Sequence, residues 1–155
     1  MKILNIDAEK CSGCRLCELT CAFNKEKRII PILGRINVFQ NYAQGLSVPV
    51  VCTQCEEAPC IKVCPTEALY RDLETNAVKV KEEKCIGCKM CTQACPYGAV
   101  VFIPEKKVVI KCDLCDGDPV CVKFCPTGAI TYEEPVKATL SKRREQAEKV
   151  WETLT

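Results

Sequence analysis

Cysteine spacing constrains this chain more than any other feature. All sixteen cysteines fall into four groups of four: Cys11-Cys14-Cys17-Cys21, Cys52-Cys55-Cys60-Cys64, Cys85-Cys88-Cys91-Cys95 and Cys112-Cys115-Cys121-Cys125. None is left over. Two kinds of group alternate along the chain. Glu9-Lys10-Cys11-Ser12-Gly13-Cys14-Arg15-Leu16-Cys17 matches Glu83-Lys84-Cys85-Ile86-Gly87-Cys88-Lys89-Met90-Cys91, and in both a fourth cysteine follows after three residues. Cys52-Thr53-Gln54-Cys55, leading to Pro59-Cys60 and Cys64-Pro65-Thr66, matches Cys112-Asp113-Leu114-Cys115, leading to Cys121 and Cys125-Pro126-Thr127. Such an order is the mark of an internal duplication.

The run from Cys85 to Pro96 has the spacing that holds cubane [4Fe–4S] clusters. Three cysteines two residues apart let one tight loop wrap three corners of a cubane, with backbone N–H groups aimed at its sulfurs. Gly13 and Gly87 supply backbone conformations closed to other residues. After the third cysteine the spacing predicts a short helical turn. Pro65, Pro96 and Pro126 end it, since proline lacks an N–H and fixes its own φ. The fourth cysteine then ligates the other cluster of a pair. Clusters so crosslinked lie close enough for fast electron tunnelling. Sixteen thiolates suffice for four [4Fe–4S] clusters, which predicts iron at all sixteen cysteines.

Other uses of sixteen thiols fit less well. Structural zinc takes paired knuckles far apart in sequence, not three ligands within seven residues. A disulfide framework suits secreted proteins, and the repeated Cys-Pro pattern serves no disulfide purpose. A catalytic cluster needs an iron with a free site, whereas every group here supplies four thiolates. The Cys-x3-Cys-x2-Cys run of radical enzymes is absent; Asn24 stands where its last cysteine would be. Histidine is absent altogether, which removes the usual proton-transfer group near neutral pH. The expectation is therefore a non-catalytic chain, with no catalytic residue to name.

Composition sharpens this. With four Phe, four Tyr and one Trp, the 155 residues are poor in core-forming aromatics. Clusters are expected to replace much of the core, and folding to depend on them. Four oxidised clusters with their thiolates carry the formal +2 to about −6. No basic patch interleaves with aromatics, so nucleic acid is not an expected partner. The start of the chain is too short and too soon acidic for a secretory signal. No apolar run reaches the ~18 residues of a membrane span, and Arg143-Arg144 lies at the wrong end for a twin-arginine signal. A reducing, cytoplasmic location is expected.

Between the groups lie strand-like segments. Residues 68–72 and 77–80 flank Leu73-Glu74-Thr75-Asn76, and 100–103 and 108–110 flank Pro104-Glu105-Lys106-Lys107; both read as hairpins. A third is expected from Arg35–Phe39 and Leu46–Val51. Residues 136–154 lack Gly and Pro and read as a C-terminal helix, with Leu140, Ala147, Val150, Trp151 and Leu154 on one face. Lys62 and Lys123 read as solvated or charge-balancing residues.

Over residues 1–135 this motif set resembles the four-cluster ferredoxin-type subunits of anaerobic oxidoreductases, which accompany molybdenum- or tungsten-pterin enzymes, carbon monoxide dehydrogenase and hydrogenases. The stretched second and fourth groups are typical of that family. The soluble subunits beside tungsten aldehyde oxidoreductases, benzoyl-coenzyme A reductases and carbon monoxide dehydrogenase look most similar. The resemblance implies an α+β fold of two interleaved ferredoxin-like modules with short hairpins. The outer module comprises 1–30 with 105–135 and the inner module 50–104, followed by the helix of 136–155. It implies one cluster on Cys11, Cys14, Cys17 and Cys125, and its partner on Cys112, Cys115, Cys121 and Cys21. The inner pair then sits on Cys52, Cys55, Cys60 with Cys95, and on Cys85, Cys88, Cys91 with Cys64. The duplication alone equally permits first with second and third with fourth. One departure is that Ala22, not proline, follows Cys21, so the turn after it is less constrained. The implied function is electron transfer as a subunit beside a larger catalytic partner containing molybdenum- or tungsten-pterin or flavin, together with other electron carriers. A free polyferredoxin and a structural zinc protein are the alternatives.

Overall fold

The computed structural model describes residues 2–135; the helix expected over 136–154 lies outside them. The described chain runs β1 (Ile3–Ile6), α1 (Leu16–Glu26), β2 (Ile36–Asn41), β3 (Leu46–Val51), α2 (Pro59–Lys62), β4 (Leu69–Arg71), β5 (Val78–Val80), α3 (Met90–Ala94), β6 (Val100–Ile103), β7 (Val108–Lys111), α4 (Val120–Lys123) and β8 (Ile130–Glu133). The fold is α+β, with its strands in two-stranded antiparallel ladders. Three ladders are the expected local hairpins, β2–β3, β4–β5 and β6–β7. Their turns are set locally. Between β4 and β5 the Asp72 carboxylate accepts from Thr75 Oγ1 at 2.6 Å and Thr75 N at 3.0 Å. Those bonds hold the carboxyl down at about 2. Asn76 turns the chain at φ 58°, a left-handed conformation that asparagine tolerates.

The fourth ladder pairs the first strand with the last, Ile3 opposite Glu133 and Ile6 opposite Ile130. It joins segments more than 120 residues apart in sequence, so no turn signal announces it. It brings the N-terminal end of the first cysteine group to the C-terminal end of the fourth.

Two buried clusters form the main core, and cysteine belongs to both. One gathers Leu4, Ile36, Val38, Leu114 and Ile130 around Cys17, Cys21, Cys112 and Cys121. The other gathers Leu69, Val78, Val100 and Val109 around Cys60 and Cys91. A third, smaller cluster of Ala22, Leu33, Ile103 and Ile110 seats α1 on the β6–β7 hairpin. Val100 and Val109 share one core, so β7 packs with the residues before it. Residues 104 and 105 lie in the turn between β6 and β7.

The helices differ in a way that follows from one residue. α2, α3 and α4 span four, five and four residues, and each stops before a Cys-Pro pair. α1 spans eleven, because Ala22 keeps the N–H that proline lacks. Where the sequence suggested a looser turn after Cys21, the helix runs on to Glu26 and closes with Lys27 in the left-handed region (φ 54°), its N–H on Phe23 O. Among the described residues no helix is long and apolar enough to cross a membrane.

Candidate metal centres

The four Cys-x2-Cys loops share one backbone device. The residue before the second cysteine is left-handed in each: Gly13 (φ 72°), Gln54 (φ 53°), Gly87 (φ 68°) and Leu114 (φ 58°). Glycine is needed at two of these for a further reason. A Cβ on Gly87 would meet Lys107 O at 2.6 Å, and one on Gly13 would meet Gln40 Nε2 and Ser47 Oγ, each at 2.5 Å. Gln54 and Leu114, both buried, adopt the conformation without glycine because their side chains are locked in the core.

The fourth cysteines receive backbone donors. Ala68 N points to Cys64 Sγ at 3.3 Å and Ala99 N to Cys95 Sγ at 3.4 Å, each four residues on, across the Cys-Pro turn. Burial works to raise the Cys64 and Cys125 thiols, but hydrogen bonds from the backbone and from Thr66 and Thr127 outweigh it and lower both. Cys21, which lies inside a helix, is served from elsewhere: Arg35 N reaches its Sγ at 3.3 Å. Donors of this kind favour the charged sulfur.

All sixteen cysteines are free thiols, and the fold gathers them. One small cavity is lined by Cys64, Cys85, Cys88 and Cys91. A second is lined by Cys52, Cys55, Cys60 and Cys95. Each thus combines three cysteines of one group with the fourth of another, and no carboxylate lines either. On the other side of the molecule the proximity shows in the thiol charges. Burial pushes Cys121 up to about 12, with Cys21, Cys115 and Cys17 adding to it. Burial likewise raises Cys17 to about 12, with Glu18, Cys14 and Cys11 adding. Cys125 and Cys11 pack against the same core as Cys17 and Cys121. The two sides meet where Cys52 lies near Cys112 as well as Cys60, raising both beyond the effect of burial. Soft sulfur donors in sets of four, with N–H groups directed at them, suit an iron–sulfur cluster. Deeply buried thiols such as Cys91, raised to about 11 by burial, must lose a proton to bind metal.

Several supporting residues escaped the sequence reading. Glu18, 2 % exposed, accepts from Val38 N and ties α1 to β2. Gln54 donates to Cys112 O at 2.8 Å and accepts from Val78 N at 2.9 Å. Asn24 Nδ2 lies 3.8 Å from Cys115 Sγ. Lys62 and Lys123 occupy matching places in the repeat and pair with Glu57 and Asp118.

A family model described as a 4Fe-4S dicluster domain matches residues 43–135, and one described as a 4Fe-4S binding domain matches 8–24. The polyferredoxin-like subunit of the aliphatic sulfonate oxidoreductase of Pyrococcus furiosus is 51% identical over 102 residues, 66% of this chain and 58% of that protein. The electron transport protein HydN of Escherichia coli K12 is 45% identical over 101 residues, 61% of this chain and 55% of its own. The match thus spans a little over half the length of these relatives. Among solved structures, a chain of the active site complex BamBC of benzoyl coenzyme A reductase with benzoyl-CoA superposes at a TM-score of 0.52 and 26% identity, covering 99% of this chain and 96% of that one.

Proposed function

The chain belongs to the 4Fe-4S dicluster family, and from that premise we propose that it is a four-cluster electron-transfer subunit of a multi-subunit oxidoreductase. One observation carries the proposal: two cavities, each lined by four thiols drawn as three from one cysteine group and one from another. The proposed ligand sets are Cys85, Cys88, Cys91 with Cys64, and Cys52, Cys55, Cys60 with Cys95. On the other side they are Cys112, Cys115, Cys121 with Cys21, and Cys11, Cys14, Cys17 with Cys125. Neighbouring thiols, together with the core that Cys60 and Cys91 share, support a line of centres in the order Cys11 set, Cys112 set, Cys52 set, Cys85 set.

In this reading the clusters supply one-electron chemistry and the protein supplies place and insulation. Its loops hold each cluster by four thiolates and direct N–H groups at the sulfurs. Its hairpins pack in the same cores as the cysteines. The partner is a larger catalytic subunit holding molybdenum- or tungsten-pterin or flavin. The names of the relatives, an oxidoreductase subunit and an electron transport protein, support a non-catalytic role. Likeness over 99% of the chain to a component of an active site complex supports the larger partner.

The test is anaerobic reconstitution with iron and sulfide, followed by metal and sulfide analysis and an anaerobic pull-down from the native source. About sixteen irons per chain with a stoichiometric larger subunit are expected. About eight would reduce the assignment to two clusters, and zinc without iron would remove it. Full iron with no partner would favour a freely diffusing polyferredoxin.

A further inference from the structure

Sixteen cysteines account for the centres but leave a buried cation without a role. Lys111, the last residue of β7, is 5 % exposed. Its ammonium donates to Val78 O at 2.6 Å and Cys112 O at 2.8 Å, and lies 3.5 Å from Gln54 Oε1. All three acceptors are neutral. No carboxylate among the described residues forms an ion pair with it. A buried charge without a counter-charge is costly, so the fold should hold negative charge nearby.

The location supplies it. Lys111 lines the cavity of Cys52, Cys55, Cys60 and Cys95, and it directly precedes Cys112. Its ammonium donates to the Cys112 carbonyl at 2.8 Å, so it also lies beside the first cysteine of the neighbouring set. Lys111 therefore stands at the junction where the two sides of the molecule meet. The repeat provides an internal control. In the β2–β3 hairpin Ile36 pairs with Val51, the residue before Cys52; in β6–β7 Val100 pairs with Lys111. The same position is a valine in one half and a lysine in the other, so the β-hairpin does not itself require a cation there.

We propose that Lys111 is a potential-setting residue, whose fixed positive charge raises the reduction potentials of the Cys52 and Cys112 centres above those of the two end centres. This rests on the four-cluster reading. Reduction makes a centre and its thiolates one charge more negative, and a nearby buried cation favours that form. The step is a single electron accepted from an external one-electron reductant, with no bond made or broken. An electron entering at either end then comes to rest at the junction between the two sides.

The experiment is a redox titration of the full reconstituted chain with dithionite and mediators, followed by electron paramagnetic resonance and paired with an iron count. Lys111→Gln keeps a donor and removes the charge; Lys111→Arg keeps the charge. In Lys111→Gln two of the four couples are expected to fall by at least about tenfold in reduced-to-oxidised ratio, ~59 mV for one electron. Lys111→Arg is expected to leave the order of couples intact. Full iron with all four potentials unmoved in Lys111→Gln would overturn the proposal and leave Lys111 a structural donor. If that variant loses iron, the unmodified protein decides: two couples must lie above the other two, and four equal couples overturn the proposal. Well under sixteen irons in the unmodified chain would overturn the four-cluster reading itself, which the iron count separates from failure of the Lys111 assignment.

Discussion

In the first half of the repeat Arg15, the residue after the second cysteine, donates to Val38 O of β2 at 3.2 Å. In the second half Lys89 stands at the matching place and sets its ammonium 4.3 Å from the centroid of the Phe102 ring on β6. Both residues are left-handed, at φ 59° and 63°, and both clamp a cysteine loop to the hairpin that follows. Around the cysteines the halves are alike. One step away they part: Glu18 against Thr92, Ala22 against Pro96, Gln54 against Leu114, Val51 against Lys111. A duplicated cysteine frame constrains the backbone that must wrap a cluster. It leaves neighbouring positions free to become a longer helix, a buried carboxylate or a buried cation.

Withdrawing the metal should break both halves at once. Cysteines sit in both main cores, so an anaerobic chelator is expected to unfold the reconstituted chain as a whole. Far-UV circular dichroism with hydrogen exchange would read this, and one half retaining protected amides would show that the halves are not equally cluster-dependent.

A smaller change exchanges the halves' helix stops. Ala22→Pro puts a proline into the interior of α1, where it removes a helical N–H and crowds the preceding turn, at about 3 kcal/mol or more. Pro96→Ala only restores freedom to the unfolded chain and should cost less than about 1 kcal/mol. Denaturant unfolding of the holoproteins measures both, and equal costs would mean that Ala22 is not what lengthens α1.

Glu18→Ala leaves Val38 N without its acceptor in a buried site and should destabilise by about 2–3 kcal/mol. Thr92→Ala, half-buried and hydrogen-bonded to the Lys89 carbonyl at 2.7 Å, should cost less, about 0.5–1 kcal/mol. A negligible effect of Glu18→Ala would remove its assigned role of tying α1 to β2. The two loop glycines should differ least. Both alanine variants meet the left-handed penalty of about 1 kcal/mol. At Gly13 the obstructing atoms are side-chain ends that can move, whereas at Gly87 the obstruction is the Lys107 backbone carbonyl. Gly87→Ala should therefore be the more costly, by about 1 kcal/mol, and the melting temperatures of the two variants give the order.

Three of the four ladders were legible in the sequence because each is a hairpin, with β-branched runs on either side of a polar turn. The β1–β8 ladder was not, because its strands carry no mutual signal across the length of the chain. The helical turns were legible from the Cys-Pro pairs; the absence of proline after Cys21 signals a less constrained turn but not that α1 runs on to Glu26. Losing a stop signal does not loosen a helix whose next residue, Ala22, has its own place in a core.

The sequence by itself determined that this chain groups its cysteines in fours and that the loops at Gly13 and Gly87 pass through left-handed turns, because ligand spacing and glycine chemistry are local properties. It left open which fourth cysteine faces which three, since a duplication permits more than one pairing. Only the tertiary structure decided that Cys64 lines a cavity with Cys85, Cys88 and Cys91, and Cys95 one with Cys52, Cys55 and Cys60. Only it placed Lys111 and Gln54 between the two sides. Those contacts join residues 24 to 58 positions apart, and their energy exists only once the cores have closed around the cysteines.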